Sequence, residues 1–165
     1  TMKPDITNQL EWRLIGKLQK NKVKMVLELF DLVESVDSIS LAEEIARLVE
    51  KTSRKPFDIY IQVNTGEELQ KNGVFLEDAL NLIKSVYSLP LISVKGLMCI
   101  PPFSKNPENS RIHFRKLFSL RNQVQEMGFD SITDLSMGMS NDFEVAIEEG
   151  ATHVRIGSAI FGERI

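Results

Sequence analysis

Two short stretches near the carboxyl-terminal end contain the glycine and serine residues that could bind an anion. One is "SMGMSND", which begins at Ser136, and the other is "GSAIFGE", which begins with Gly157 and Ser158. Glycines let backbone N–H groups approach an anion closely, and serine hydroxyls add further donors. Barrel enzymes built from parallel strands often bind phosphate in the loops after their last two strands. Ser136, Gly157 and Ser158 are therefore candidates for a phosphate site.

An arginine interrupts the β-branched run that leads into the second stretch. Val154 and Ile156 point to one side of a strand, so Arg155 points to the other. If both faces of the strand are covered, the guanidinium is buried and needs an acceptor. That acceptor is either a ligand in the same lumen or a core carboxylate such as Glu34. In the second case the Gly-Ser pairs are ordinary turns, and the local pattern leaves both readings open.

Other residues whose side chains could take part in catalysis or metal binding form weaker patterns. We therefore assign no catalytic residue and no metal ligand. His113 and His153 are far apart in sequence and are interpreted as structural or surface histidines. The lone Cys99 lies in the apolar run "VKGLMCI" and indicates a small core residue, with no disulfide and no zinc site. The basic run 16–24 is typical of a solvated helix surface, although it starts at the ligand end of a strand.

Composition describes an ordinary globular chain. It has 165 residues, of which 42% are hydrophobic and 26% charged, with a formal net charge of −3. This length predicts a single domain over residues 1–165. There is no basic stripe interleaved with aromatic residues and no apolar run of membrane-spanning length, so we expect neither a nucleic-acid nor a membrane partner. The expected location is the cytoplasm.

Short β-rich segments alternate with helical ones along the whole chain. Gly128 is the expected C′ residue of one helix, and Ser140 is the expected N-cap of the next. Six strands are predicted, over residues 12–16, 29–36, 57–64, 93–100, 132–137 and 153–157. Strict βαβα alternation implies a parallel sheet, either an open doubly wound sheet or a (β/α) barrel. In "IYIQVN" apolar Ile59, Ile61 and Val63 share one face, whereas polar Gln62 and Asn64 share the other. A lumen that holds a polar ligand would produce this split, so a TIM-type barrel is favoured.

The number of units is lower than a closed barrel requires. A complete barrel has eight strand-helix units and typically about 250 residues, whereas six units are recognisable here. We therefore expect an incomplete α/β barrel, about six of eight units, unless another chain supplies the remainder or the sheet is open.

Longer motifs make the chain similar to a known family. "LIGKLQKNKVK", "IQVNTGEELQKNGV", "KGLMCIPP" and "DLSMGMSNDFEVAIEEGATHVRIGSAIFGER" resemble the pyridoxal phosphate homeostasis proteins, which are relatives of the alanine racemase N-terminal barrel. The resemblance implies a non-enzymatic protein that binds pyridoxal 5′-phosphate (PLP) and balances vitamin B6 and amino-acid pools. It implies that Arg155 faces the pyridine nitrogen and that Ser136, Gly157 and Ser158 hold the phosphate.

The chain departs from this family in ways that affect the cofactor site. Members begin with a strand carrying "SKTKP", whose first lysine forms the Schiff base, and continue with "FGENY"; neither motif occurs here. We therefore expect an N-terminally truncated domain that binds PLP non-covalently at best. Lys17 is the best substitute for the missing lysine, and it is a weak one. Arg13 replaces a histidine and Gly66 a serine that are common in the family.

An incomplete barrel has consequences for stability and for function. Two exposed strand edges and an uncovered lumen wall predict marginal stability and self-association.

Two alternative functions also remain open, a truncated fragment that binds no ligand and a PLP-dependent racemase-like enzyme. The missing lysine and the absence of a second domain with an opposing base argue against the enzyme.

Overall fold

The computed structural model describes residues 10–52 and 55–162. One parallel sheet runs through this part of the chain. Its strands are β1 (Arg13–Leu14), β2 (Leu32–Val36), β3 (Phe57–Asn64), β4 (Val74–Phe75), β5 (Ile92–Cys99), β6 (Asp134–Met139) and β7 (His153–Arg155). The helices are α1 (Val23–Leu29), α2 (Ile39–Thr52), α3 (Leu76–Tyr87), α4 (Arg111–Glu126), α5 (Phe143–Glu148) and α6 (Ser158–Phe161).

Strand order confirms the predicted incomplete barrel. The strands pair in the order β1-β2-β3-β5-β6-β7, and every pair is parallel. A doubly wound sheet would reverse its strand order at a switch point, whereas here the order follows the sequence throughout. All six predicted strands are present; β3 has the predicted bounds, and the other five have shifted ends. The two-residue β4, which pairs with β3, was not predicted because a strand this short has no periodicity.

The two faces of the sheet differ, as the alternation in β3 predicts. Ile59, Ile61 and Val63 belong to the main hydrophobic core, which lies between the sheet and the helices. Tyr60 belongs instead to a small cluster with Leu32 and Met98 on the opposite, lumen face. The core on the helix side therefore contains most of the buried apolar residues, and it packs against the strands that present the lumen residues.

Helix α4 shows how the sequence builds the outer layer. Phe114, Leu117, Leu120 and Val124 are buried at helical spacing. The helix ends before Gly128, whose φ of +91° is accessible to glycine at little cost. The predicted helix stop at this glycine is confirmed.

The expected helix start at Ser140 is wrong. Strand β6 continues to Met139, and α5 begins only at Phe143, with Asp142 at the N-cap position. An Asp142 side-chain oxygen accepts the Met139 N–H at 2.7 Å and closes the turn. Ser140 is left at the carboxyl end of the strand, where it contacts the next strand-helix corner.

Among the helices of the described chain, none combines the length and apolar character needed to cross a membrane.

Candidate functional site

A cleft lies on the lumen face of the sheet and has a volume of about 650 Å³. This volume is within the range of small-molecule sites. The residues that line it come from strands at both ends of the sheet and from the loops that follow β5, β6 and β7: Arg13, Ile15, Glu34, Ile100, Phe103, Met139, Ser140, Asn141, His153, Val154, Arg155, Ile156, Gly157 and Ser158. The structure thus brings the predicted Arg155, Gly157 and Ser158 into one cleft.

Arg155 extends into the lumen, as strand parity predicts. Its Nη1 donates to Ser136 Oγ at 2.7 Å, and its Nη2 donates to the Cys99 carbonyl oxygen at 2.8 Å. Burial lowers the pKa of the guanidinium, and the nearby Glu34 and Asp142 carboxylates oppose that shift. Arginine remains charged in proteins, so the lumen wall contains a fixed positive charge.

Ser136 is fully buried and links Arg155 to Glu34. Its hydroxyl donates to Glu34 Oε2 at 2.5 Å. The core carboxylate considered in the sequence analysis is therefore close to Arg155, with a serine hydroxyl between the two charged groups. The Ser136 hydroxyl is therefore engaged on both sides, by the Glu34 carboxylate and by the Arg155 guanidinium.

A second polar chain crosses the lumen beside the first. Arg13 Nη1 donates to the Tyr60 hydroxyl at 3.0 Å and lies 3.5 Å from Glu34 Oε1. The Tyr60 hydroxyl in turn donates to Asp134 Oδ2 at 2.7 Å. Burial, together with the Asp134 carboxylate, raises the pKa of Tyr60, so the phenol keeps its proton. The arginine that replaces a family histidine is thus held by carboxylate and phenol groups.

Ser140 is the corner residue that sequence reasoning missed. Its Oγ accepts the N–H groups of Gly157 at 3.1 Å and Ala159 at 3.2 Å. The corners after β6 and β7 therefore meet at this hydroxyl. The signal was present in "GMSND", because the first residue beyond a parallel strand is a usual ligand position, but a helix cap was inferred there instead.

Gly157, in the corner that follows β7, leaves open space above its backbone. A Cβ built on Gly157 would meet no heavy atom within 4 Å. The backbone N–H donors of the corner, the hydroxyls of Ser140 and Ser158, and the Arg155 guanidinium thus adjoin open space. This donor set fits an anion at the corner and a neutral acceptor beside the guanidinium.

The remaining candidates lie in other surroundings. His153 lines the cleft and packs edge-on against the Tyr60 ring at a centroid distance of 6.1 Å. His113 contacts the Thr65 carbonyl oxygen through Nδ1 at 3.0 Å from the outer helix layer. Lys17 lines a separate groove with Leu14 and Met25. Burial raises the pKa of Cys99 to about 12, which fits its interpretation as a core residue.

The part of the chain that the structure describes has neither a lysine in the cleft nor a cluster of metal-binding side chains. Among the residues lining the cleft there, none is a lysine. Over residues 10–52 and 55–162, His, Cys, Asp and Glu side chains form no group of three or more that could hold a metal ion.

Comparison with known proteins places this geometry in a family. The family model for the alanine racemase N-terminal domain matches residues 7–165. The pyridoxal phosphate homeostasis protein of Aquifex aeolicus is 48% identical over 155 residues, which are 94% of this chain and 68% of that protein. The chain spans about two thirds of the length of the curated relatives it matches.

Solved structures agree with this assignment. PipY from Synechococcus elongatus, solved with PLP bound, superposes with a TM-score of 0.83 at 32% identity, covering 96% of this chain and 74% of PipY. An alanine racemase of Clostridium difficile superposes with a TM-score of 0.74 over 92% of this chain and 39% of its own, and at 14% identity it supports the fold alone. The chain therefore belongs to the alanine racemase N-terminal domain family, among the pyridoxal phosphate homeostasis proteins.

Proposed function

We propose that this chain binds PLP reversibly in the lumen cleft and takes part in cytoplasmic PLP homeostasis without catalysing a reaction. The observation that carries the proposal is the meeting of the β6 and β7 corners at Ser140, next to a lumen-facing Arg155. The similarity to PipY, which was solved with PLP bound, supports the choice of ligand.

In this proposal the phosphate binds at the meeting corners. The backbone N–H groups of Gly157 and Ala159 now point at the Ser140 hydroxyl oxygen, so phosphate oxygens would take the place of that acceptor. The hydroxyls of Ser140 and Ser158 would donate to the same anion. We propose Ser140 here in place of Ser136, because Ser136 has no exposed surface and its hydroxyl contacts Glu34 and Arg155.

The ring in this proposal lies against Arg155. A guanidinium has five N–H donors and no acceptor, so it favours an unprotonated pyridine nitrogen. Bound PLP supplies an aldehyde and an electron-withdrawing ring, and the electron sink is weaker when the ring nitrogen is unprotonated. Together with the absence of a lysine among the described cleft residues, this favours storage or delivery of the cofactor over racemase chemistry.

The test is to titrate the unaltered chain and Ser140→Ala with PLP and to measure the bound fraction by equilibrium dialysis. We expect saturable binding to the unaltered chain and a Kd about 10- to 100-fold higher for Ser140→Ala, since one hydrogen bond to a charged group is lost. Ser119→Ala, an exposed serine on α4, is the matched control and should leave the Kd unchanged. Absence of saturable binding to the unaltered chain would identify a fragment that binds no ligand.

We also propose that the chain pairs with a second copy through its sheet edges. Within the described chain, β1 and β7 each pair with one neighbour only, and unpaired edges favour strand association. Apolar side chains near these edges are exposed, with Trp12 at 58% and Phe161 at 84%. Sedimentation velocity over about a hundredfold range of concentration should show a dimer that dissociates on dilution. A monomer at every concentration, with cooperative unfolding, would contradict this proposal.

A further inference from the structure

Glu34 is a buried carboxylate that the proposed phosphate and ring contacts do not use. Only 2% of its surface is exposed, on strand β2, and Ser136 on β6 has no exposed surface. The two residues are 102 positions apart in sequence, yet Ser136 Oγ lies 2.5 Å from Glu34 Oε2 and 2.7 Å from Arg155 Nη1. The three side chains form a continuous chain of hydrogen bonds across the lumen.

The direction of these hydrogen bonds follows from the groups involved. An ionised carboxylate can only accept, and a serine hydroxyl has a single proton to donate. The Ser136 proton must therefore point to Glu34, which leaves the serine lone pairs to accept from Arg155. A glutamine amide carries N–H donors as well as a carbonyl oxygen, so in Glu34→Gln residue 34 could donate to the Ser136 oxygen and compete with Arg155 for it.

Two anchors then hold the plane of the guanidinium. Nη1 is bound by Ser136 and Nη2 by the Cys99 carbonyl oxygen. These contacts use two of the five N–H groups and leave three without a hydrogen bond to these anchors, on a side chain that lines the cleft. A planar group held at two points presents its remaining donors in a defined direction, which a singly anchored guanidinium does not.

We propose that Glu34 is a positioning residue that acts through Ser136 to aim the Arg155 guanidinium at the ring nitrogen of PLP. This inference rests on the proposed function, and it adds the reason for a buried carboxylate on β2. A role in charge balance alone is the alternative, because the other Glu34 oxygen lies 3.5 Å from Arg13 Nη1.

The experiment compares PLP with its 1-deaza analogue, in which C–H replaces the ring nitrogen. The ratio of the two Kd values isolates the contact between the guanidinium and that nitrogen, since the phosphate is common to both ligands. We expect the unaltered chain to prefer PLP by at least about tenfold, as for a hydrogen bond to a charged donor. In Glu34→Gln and in Ser136→Ala the preference should fall below about threefold.

Controls separate positioning from charge and from general damage. Ser136→Ala cuts the chain of hydrogen bonds while every charge is kept, so a lost preference in Glu34→Gln alone would overturn the inference in favour of charge balance. Glu50→Gln, an exposed glutamate on α2, should keep the full preference. If Glu34→Gln does not fold, Ser136→Ala decides the question. A purely structural role would weaken both ligands equally and leave the ratio unchanged.

The remaining outcomes distinguish the inference from the proposed function. If Glu34→Gln and Ser136→Ala both keep the tenfold preference for PLP, Glu34 does not position Arg155. The proposal that the chain binds PLP then still stands. If the unaltered chain binds both ligands equally well, the ring contact is absent and the inference is overturned with it. If the unaltered chain binds neither ligand, the proposed function itself fails.

Discussion

Replacing Arg155 by alanine is expected to weaken PLP binding by about 10- to 100-fold, the range for the loss of a hydrogen bond to a charged group. The guanidinium is the charged donor held in the cleft by Ser136 and the Cys99 carbonyl. The substitution removes the contact to the ring and also leaves two buried acceptors without their donor. The Kd is measured by isothermal titration calorimetry on the unaltered and the variant chain.

A matched substitution separates the site from the surface. Arg47 lies on α2 and pairs with Glu44, with 49% of its side chain exposed. Surface pairs of this kind contribute little to stability, and Arg47 does not line the cleft, so Arg47→Ala should bind PLP as the unaltered chain does. Arg155→Lys keeps the positive charge but cannot bridge both anchors with a planar fork, and it should also bind weakly. Unchanged affinity in Arg155→Ala would remove the ring contact from the proposed site.

Gly138→Ala is expected to lower the free energy of unfolding by about 3 kcal/mol, a size typical of overpacking added to backbone strain. Gly138 has a φ of +91°, and a Cβ there would lie 2.5 Å from the Ala146 Cβ and 3.1 Å from the Phe143 Cα. The side chain therefore cannot enter without moving α5 away from β6. That movement would also displace Ser140 from the β7 corner, so PLP binding should weaken in the same variant.

Gly128→Ala is the control that isolates the clash. Gly128 has the same φ of +91°, but a Cβ there meets nothing within 4 Å. Only the backbone strain remains in Gly128→Ala, so the free energy of unfolding is expected to fall by about 1 kcal/mol. Urea unfolding of the two variants measures the difference directly. Equal losses would show that α5 yields to the added methyl group.

The alternation along β3 was sufficient to predict the layer arrangement. Ile59 and Ile61 lie on the helix side and Tyr60 on the lumen side, because side chains of a strand alternate strictly between its faces. The same local rule placed Arg155 in the lumen. Strand ends were less predictable, since β6 runs to Met139 and so carries Ser140 to the corner rather than into a helix.

The partners of each lumen side chain depended on the packing of strands that are distant in sequence. Ser136 meets Glu34 across 102 positions, and Arg13 meets Tyr60 across 47. No local pattern specifies such pairs, because they result from the register of neighbouring strands and the curvature of the sheet. The sequence by itself therefore determined the incomplete parallel α/β barrel, the family and the lumen-facing arginine. The tertiary structure alone decided that Ser136 holds Arg155 and that Ser140 joins the two corners, because only the folded sheet sets which strand ends meet.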